Sequence, residues 1–178
     1  IGKRHAFMIL NNDEAELIAM TDTDGSLEDS ISKAFKVSFF KSIDELLTSG
    51  LEIDVINICT PNNEHAPQSL QALQNGYHVV CEKPMALKKA DCEEIIYKAL
   101  QVSKLVFCVM QNRYSPPAVW LKEIISTGKL GKIYMVQLNC YWNRDKRYYK
   151  KEGWKGKNKT DGGTLFTQFS HFIDMLYW

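Results

Sequence analysis

The stretch DVINICTPNNEHAPQSLQALQNGYHVVCEKP, residues 54–84, decides the fold. It opens on a near-continuous apolar run, DVINICTP, as a parallel strand does when both its faces are covered. A helical segment follows from Glu64 to Asn75, with Asn62 expected as its N-cap and Gly76 as the residue that stops it. HVVCEKP is then a second buried strand. Strand, helix and strand with short connections make a βαβ unit, and right-handed βαβ units build an open parallel sheet.

The alternation extends in both directions. Upstream, Lys3–Leu10 reads as a helix, Leu17–Thr21 as a strand, Leu27–Phe35 as a helix and Val37–Phe40 as a strand. Ser42–Leu47 reads as a helix in which Ser42 and Glu45 form a capping box. Downstream, Lys89–Val102 is helical, with an apolar stripe at Cys92, Ile95, Ile96, Ala99 and Leu100, and KLVFCVMQ is a further strand. After QNRYSPP the pattern changes. Pro116 and Pro117 open a helix that Gly128 stops, and KIYMVQLNCYWNR alternates like a strand with one solvated face. A polar loop and a last helix from about Thr164 complete the chain. A boundary near Ser115 divides it into residues 1–114 and 115–178.

Bulk properties narrow the function. The 178 residues are 45% hydrophobic and 24% charged with a net charge of +1, so no whole-molecule field gathers nucleic acid. No apolar run reaches the roughly 18 residues of a membrane span. The five cysteines are scattered and show no zinc spacing, which reads as reduced core thiols in a cytoplasmic protein without a metal site. The chain begins without methionine and stops inside an apolar helix, so a longer protein is expected to extend past both ends.

Open parallel sheets bind ligands at the carboxyl ends of their strands, which here carry Asp22, Thr60 to Asn62, Glu82 with Lys83, and Gln111 with Asn112. Gly2 opens the first helix and Asp22 lies about 20 positions later, as in the last glycine and the ribose-binding acid of a dinucleotide fingerprint. Asp22 favours NAD over NADP, because its carboxylate repels a 2′-phosphate and no arginine follows it. In TPNNEH the helix start suits phosphate or ribose oxygens, and His65 either stacks on a cofactor or packs. Lys83 is a charge at the edge of a buried strand, where a lysine needs a task or a partner. Glu82 is a poor partner for it, since neighbours on a strand point to opposite faces. In TLFTQFSHFIDML, Thr167, Ser170, His171 and Asp174 share one helix face, with Leu165, Phe166, Phe169, Phe172, Ile173 and Leu176 covering the rest. Residues 143–159 carry eight Lys or Arg against two acids, with Tyr148, Tyr149 and Trp154 interleaved. That stretch is a solvated mobile loop or a cationic flap over an anionic substrate; a single-stranded nucleic-acid surface, which also combines aromatics with basic residues, normally comes with a more basic domain.

Together these segments resemble the glucose-fructose oxidoreductase, inositol dehydrogenase and rhizopine-catabolism (Gfo/Idh/MocA) family, with EKP as the most specific motif and QNRY and GGTLFTQFSHFIDML as later ones. The resemblance implies a Rossmann-type α/β domain, doubly wound and with its first strand before Ile1, joined to the start of an α/β domain with an open mixed sheet. With that first strand absent, two neighbouring strands are expected to expose edges, and these 178 residues alone to hold NAD poorly. The resemblance also implies hydride transfer between a nicotinamide cofactor and a sugar or cyclitol hydroxyl, in a dimer or tetramer. Lys83 and His171 match the active-site lysine and histidine. Gly2, Asp22, Thr60, Asn62, His65, Glu82 and Gln111 match cofactor-side positions, with Lys83 among them, and Asn112 and Arg113 lie toward the substrate. The family's usual Asp or Asn four residues before the histidine is here Thr167, which cannot supply a charge.

The stretch YYKKEGWKGKNKTDGG is similar to members acting on nucleotide sugars, the 3-dehydrogenases of UDP-N-acetylglucosamine and its uronic acid in surface polysaccharide (lipopolysaccharide) synthesis. Trp154 and Lys155 are then substrate-side residues, with Thr167 and His171. A simple sugar or inositol dehydrogenase, and a non-catalytic cofactor-sensing regulator, are the rival readings.

Overall fold

In the computed structural model, which describes residues 1–178, the first half of the chain alternates strand and helix as expected. The elements are α1 (Gly2–Leu10), β1 (Ala19–Thr21), α2 (Glu28–Phe35), β2 (Ser38–Phe40), α3 (Ile43–Leu47), β3 (Val55–Ile58), α4 (His65–Gln74), β4 (His78–Cys81), α5 (Lys89–Gln101) and β5 (Val106–Cys108). All strand pairs are parallel. They form two sheets rather than one: β1 pairs with β2, and β3, β4 and β5 follow in that order. β1, β2, β3 and β5 are therefore all sheet edges.

The core sits where α4 and α5 cover β3–β5. Leu73, Val79, Cys81 and Ile95 are fully buried there, with Ile56 and Ile58 beside them. Truncating Leu73 to alanine would cost about 2–5 kcal/mol in lost burial and cavity formation. Burial pushes the Cys81 thiol up to about 12 and that of Cys108 up to about 11, so both stay protonated core groups. All five cysteines are free.

Local chemistry explains most boundaries. Ser42 Oγ accepts the Glu45 N–H at 3.1 Å, and Glu45 returns a bond to the N–H of Lys41, one residue earlier than in a standard capping box. Gly76, at φ 84°, turns the chain after α4. Three expectations need correction. Asn62 is not an N-cap: residues 62–64 form a 3₁₀ turn ahead of α4, and the Asn62 side chain is buried and bonded elsewhere. The α5 stripe is narrower than expected, for Ile95 and Ala99 are buried while Ile96 and Leu100 project into solvent. The alternating segment 132–144 forms no strand, and Tyr134, Met135, Val136 and Tyr141 are exposed. A strand needs a neighbouring strand for its N–H and C=O groups, and none pairs with this segment.

The second part holds α6 (Pro116–Ser126), α7 (Asn158–Asp161) and α8 (Ser170–Tyr177). A π-helical turn, Leu165–Phe169, leads into α8. This terminal segment turns its polar stripe inward and leaves part of its apolar side exposed. Its polar side, with Thr167, Gln168 and His171, is buried against the first part, while Leu165, Ile173 and Leu176 are exposed. Nothing else in the 178 residues covers that apolar side.

Candidate active site

β4 delivers two charged residues to the edge of the sheet. Its ladder continues one residue past the strand, with Glu82 N–H donating to Ile58 O at 2.9 Å, which fixes where Glu82 and Lys83 emerge. The two side chains part there. Glu82 is 7% exposed and turns to His5 on α1, with Oε1 3.0 Å from Nε2, while Oε2 accepts the Lys83 N–H at 3.1 Å. Burial works against the Glu82 carboxylate, but the His5 bond and the Lys83 N–H more than offset it and hold its pKa below the ordinary range. His5 is raised to about 9, first by the neighbouring Cys59 side chain and then by Glu82. His5 was not singled out in the sequence. Its place on the same helix as Gly2, one turn on, was the available signal.

Lys83 reaches the other way. Its Nζ donates to the main-chain oxygen of Thr167 at 2.6 Å. Burial pulls the ammonium below its usual pKa, while Glu82 and then Asp161 pull in the opposite direction. The Lys83–Pro84 peptide is cis. His171 is 8% exposed, and its Nδ1 is buried without a partner. Burial, and next the Lys83 charge, lower its pKa, so the imidazole is neutral and can accept a proton. Thr167 Oγ1 turns back to Gly163 O at 3.0 Å.

Around this pair the structure brings the two parts of the chain together. Asn62 Nδ2 donates to Asp161 O at 2.8 Å. Arg113 forms a two-pronged ion pair with Asp174 on α8, at 2.7 and 2.6 Å, so it is committed to holding α8. Asn112 and Gln111 lie in the 3₁₀ turn 111–114 after β5, and Gln111 is exposed. An apolar groove of about 870 Å³ between this turn and α8 is lined by Met85, Cys108, Met110 and Phe166, with Arg113 and Asp174 at its polar side. Neither Lys83 nor His171 lines it.

The residues expected on the cofactor side spread along the strand ends. Gly2 begins α1, whose first turn has no side-chain cap, and its free N–H groups suit phosphate oxygens. Asp22 is exposed at the end of β1 and accepts the Asp24 N–H at 3.0 Å. Thr60 Oγ1 bonds Gln68 at 2.8 Å. His65 is 1% exposed, with one ring nitrogen 2.6 Å from Pro84 O and the other 2.9 Å from Thr60 O. Of the two readings for His65, packing is the one observed: it ties the Thr60 and Pro84 turns together. No three His, Cys, Asp or Glu side chains converge as they would on a metal ion, and no helix is long and apolar enough to cross a membrane.

The basic loop is largely exposed but anchored through Arg144, Tyr148, Trp154 and Lys155, which are half-buried. Tyr148 lies between Arg144 and Lys155, 4.5 and 4.1 Å from its ring centre, and its hydroxyl accepts from Gln168 at 2.8 Å. Trp154 gives its carbonyl to Thr160 Oγ1 at 2.6 Å, with Lys155 5.8 Å from its ring centre.

Comparison with known proteins agrees with this arrangement. Residues 1–110 match the model of an oxidoreductase family's NAD-binding Rossmann fold, and residues 122–178 match its C-terminal alpha/beta domain. The chain is similar to the WlbA dehydrogenase of Bordetella pertussis, solved in complex with NADH and UDP-GlcNAcA. They share 34% identity and a TM-score of 0.94 over 100% of this chain and 51% of that one. It is also 26% identical to the D-glucoside 3-dehydrogenase of Escherichia coli K12, over 97% of this chain and 48% of that protein. It is 28% identical to the glucose-6-phosphate 3-dehydrogenase of Bacillus subtilis 168, over 100% of this chain and 50% of that protein. The chain thus spans about half the length of these relatives.

Proposed function

The chain belongs to the Gfo/Idh/MocA oxidoreductase family, and from that membership we propose that its protein is an NAD-dependent dehydrogenase acting on a hydroxyl of a nucleotide sugar. Residues 1–114 would form the cofactor domain and 115–178 the start of the substrate domain. The observation that carries the reading is the contact of Lys83 with the Thr167 carbonyl beside a buried His171, which puts a cation and a neutral base at the seam between the two parts.

Bound NAD would supply the hydride acceptor. Gly2 and the uncapped start of α1 would take phosphate oxygens, and Asp22 the adenosine ribose. Lys83 would hold the sugar oxygen through its ammonium and stabilise the negative charge that grows there. His171 would take the hydroxyl proton at a ring nitrogen, for which its lowered pKa suits it. Burial of His171 and partial burial of Lys83 limit water there and strengthen their action. The preference for a nucleotide sugar rests on the folded cationic loop, with Lys155 and Arg144 stacked on aromatic rings, and on the 34% identity to a dehydrogenase solved with UDP-GlcNAcA. The likeness to D-glucoside and glucose-6-phosphate dehydrogenases favours a second reading, a simple sugar or sugar phosphate as substrate. A cytoplasmic homo-oligomer supplying surface polysaccharide synthesis fits the first reading. Incubating the full-length protein with NAD and either UDP-sugars or free sugars, and following NADH absorbance, separates the two.

A further inference from the structure

Lys83 follows a residue whose side chain is wholly engaged. Glu82 is buried, and both of its carboxylate oxygens have partners: Oε1 lies 3.0 Å from His5 Nε2, and Oε2 accepts the Lys83 N–H at 3.1 Å. His5 sits one turn into α1, after Gly2, and its ring is largely covered as well. Its Nδ1 lies 3.3 Å from the Asn57 amide on β3. Nε2 carries a hydrogen toward Glu82 whether the ring is charged or is neutral and accepts at Nδ1. A buried carboxylate is costly unless its oxygens are answered, so Glu82 keeps this orientation because His5 answers Oε1.

Hydrogen bonds therefore run from α1 through His5 and Glu82 to the main chain of Lys83. On the far side, the His65 ring bonds Pro84 O at 2.6 Å and Thr60 O at 2.9 Å. Lys83 is thus held at both ends, and its Nζ reaches the Thr167 carbonyl at 2.6 Å. The two histidines differ in what they join. His65 ties two neighbouring turns, whereas His5 belongs to the helix whose free first-turn N–H groups suit cofactor phosphate. Resting on the assignment of Lys83 made above, we propose that His5 is a positioning residue: through Glu82 it fixes the backbone of Lys83 relative to α1, so that the ammonium is set in register with the bound cofactor. It acts through Glu82 and makes no contact with the sugar.

A merely structural role, seating α1, would lower stability or NAD affinity and leave Lys83 as it is. The test is His5→Ala against His5→Gln in the full-length protein, since a glutamine amide can still donate to Glu82 Oε1. His5→Ser replaces the alanine variant should that one not fold. In His5→Ala, kcat should fall about 10- to 10²-fold, the scale of loss expected when a reacting group is misplaced by about 1 Å. The NAD dissociation constant, from fluorescence titration, should stay unchanged. His5→Gln should recover most of the lost kcat. Trace acetylation of Lys83, read by mass spectrometry against the exposed Lys89, needs no turnover. It should be faster in His5→Ala, where Nζ leaves the Thr167 carbonyl, and return to the wild-type ratio in His5→Gln. Wild-type labelling of Lys83 in folded His5→Ala overturns the proposal, even if activity drops, and so does a loss that His5→Gln fails to recover. Faster labelling that His5→Gln reverses, in a protein that oxidises no sugar, upholds the positioning and overturns only the reaction assigned to Lys83.

Discussion

The Nζ of Lys83 donates to the main-chain oxygen of Thr167 at 2.6 Å, across 84 residues of sequence. One side chain thus joins the carboxyl edge of the parallel sheet to the π-helical turn that carries His171 into place. Removing the amine by Lys83→Ala should lower kcat of the full-length protein on the order of 10²- to 10³-fold, the usual loss for a donor to a developing oxyanion. NAD affinity, measured by fluorescence titration, should change little, because Gly2 and Asp22 lie on other elements.

His171 should lose its proton below its ordinary value, since burial and Lys83 both disfavour the imidazolium. Sugar oxidation, which needs the neutral base, should therefore persist down to a pH below 6.5, and NMR titration of the His171 ring should show the same low midpoint. His171→Gln should remove that acid limb and cost about 10²- to 10⁴-fold in kcat.

The His5–Glu82 pair links folding to pH. The pKa of His5 rises from 6.5 to about 9 on folding, so its stabilisation is complete below 6.5 and is lost as pH rises through 9. Glu82 is shifted down from 4.5, so its contribution is present above 4.5 and is lost as pH falls through its lower folded value. Urea midpoints should accordingly be highest between 4.5 and 6.5 as far as this pair decides. His5→Gln should flatten the decline between 6.5 and 9.

Much of this was readable in the sequence, for physical reasons that differ by element. β3, α4 and β4 were legible because continuous apolar runs and a glycine stop specify buried strands and a helix end locally. Lys83 stood out as a charge at the end of a buried strand and His171 as part of a polar helix stripe, while the roles expected of them came from the family resemblance. What escaped depends on neighbours. Asn62 has cap chemistry, yet Asp161, 99 residues away, takes its amide. Residues 132–144 alternate like a strand but have no partner to pair with. The periodicity of α8 marks a polar and an apolar side without saying which one faces inward. Asp161 and His5 matter through burial and partners that no spacing rule reveals.

Arg113 and Asp174 hold α8 against the turn after β5, with side chains 33% and 14% exposed. A double-mutant cycle with Arg113→Met and Asp174→Asn should give a coupling of about 1–3 kcal/mol by chemical denaturation, typical of charge-assisted bonds in a half-buried site. Arg113→Met should be the costlier single change, because it leaves the more buried carboxylate unpaired.

The central claim is that Lys83 and His171 oxidise a sugar hydroxyl with NAD. Its most direct test is NADH formation by the full-length protein, wild type and Lys83→Ala, with NAD and a panel of UDP-sugars and simple sugars. The account predicts NADH formation by the wild type with at least one UDP-sugar, and loss of that rate on the order of 10²-fold or more in the variant. No reduction of NAD with any sugar, the behaviour of a cofactor-sensing regulator, or an equal rate in Lys83→Ala, would contradict it.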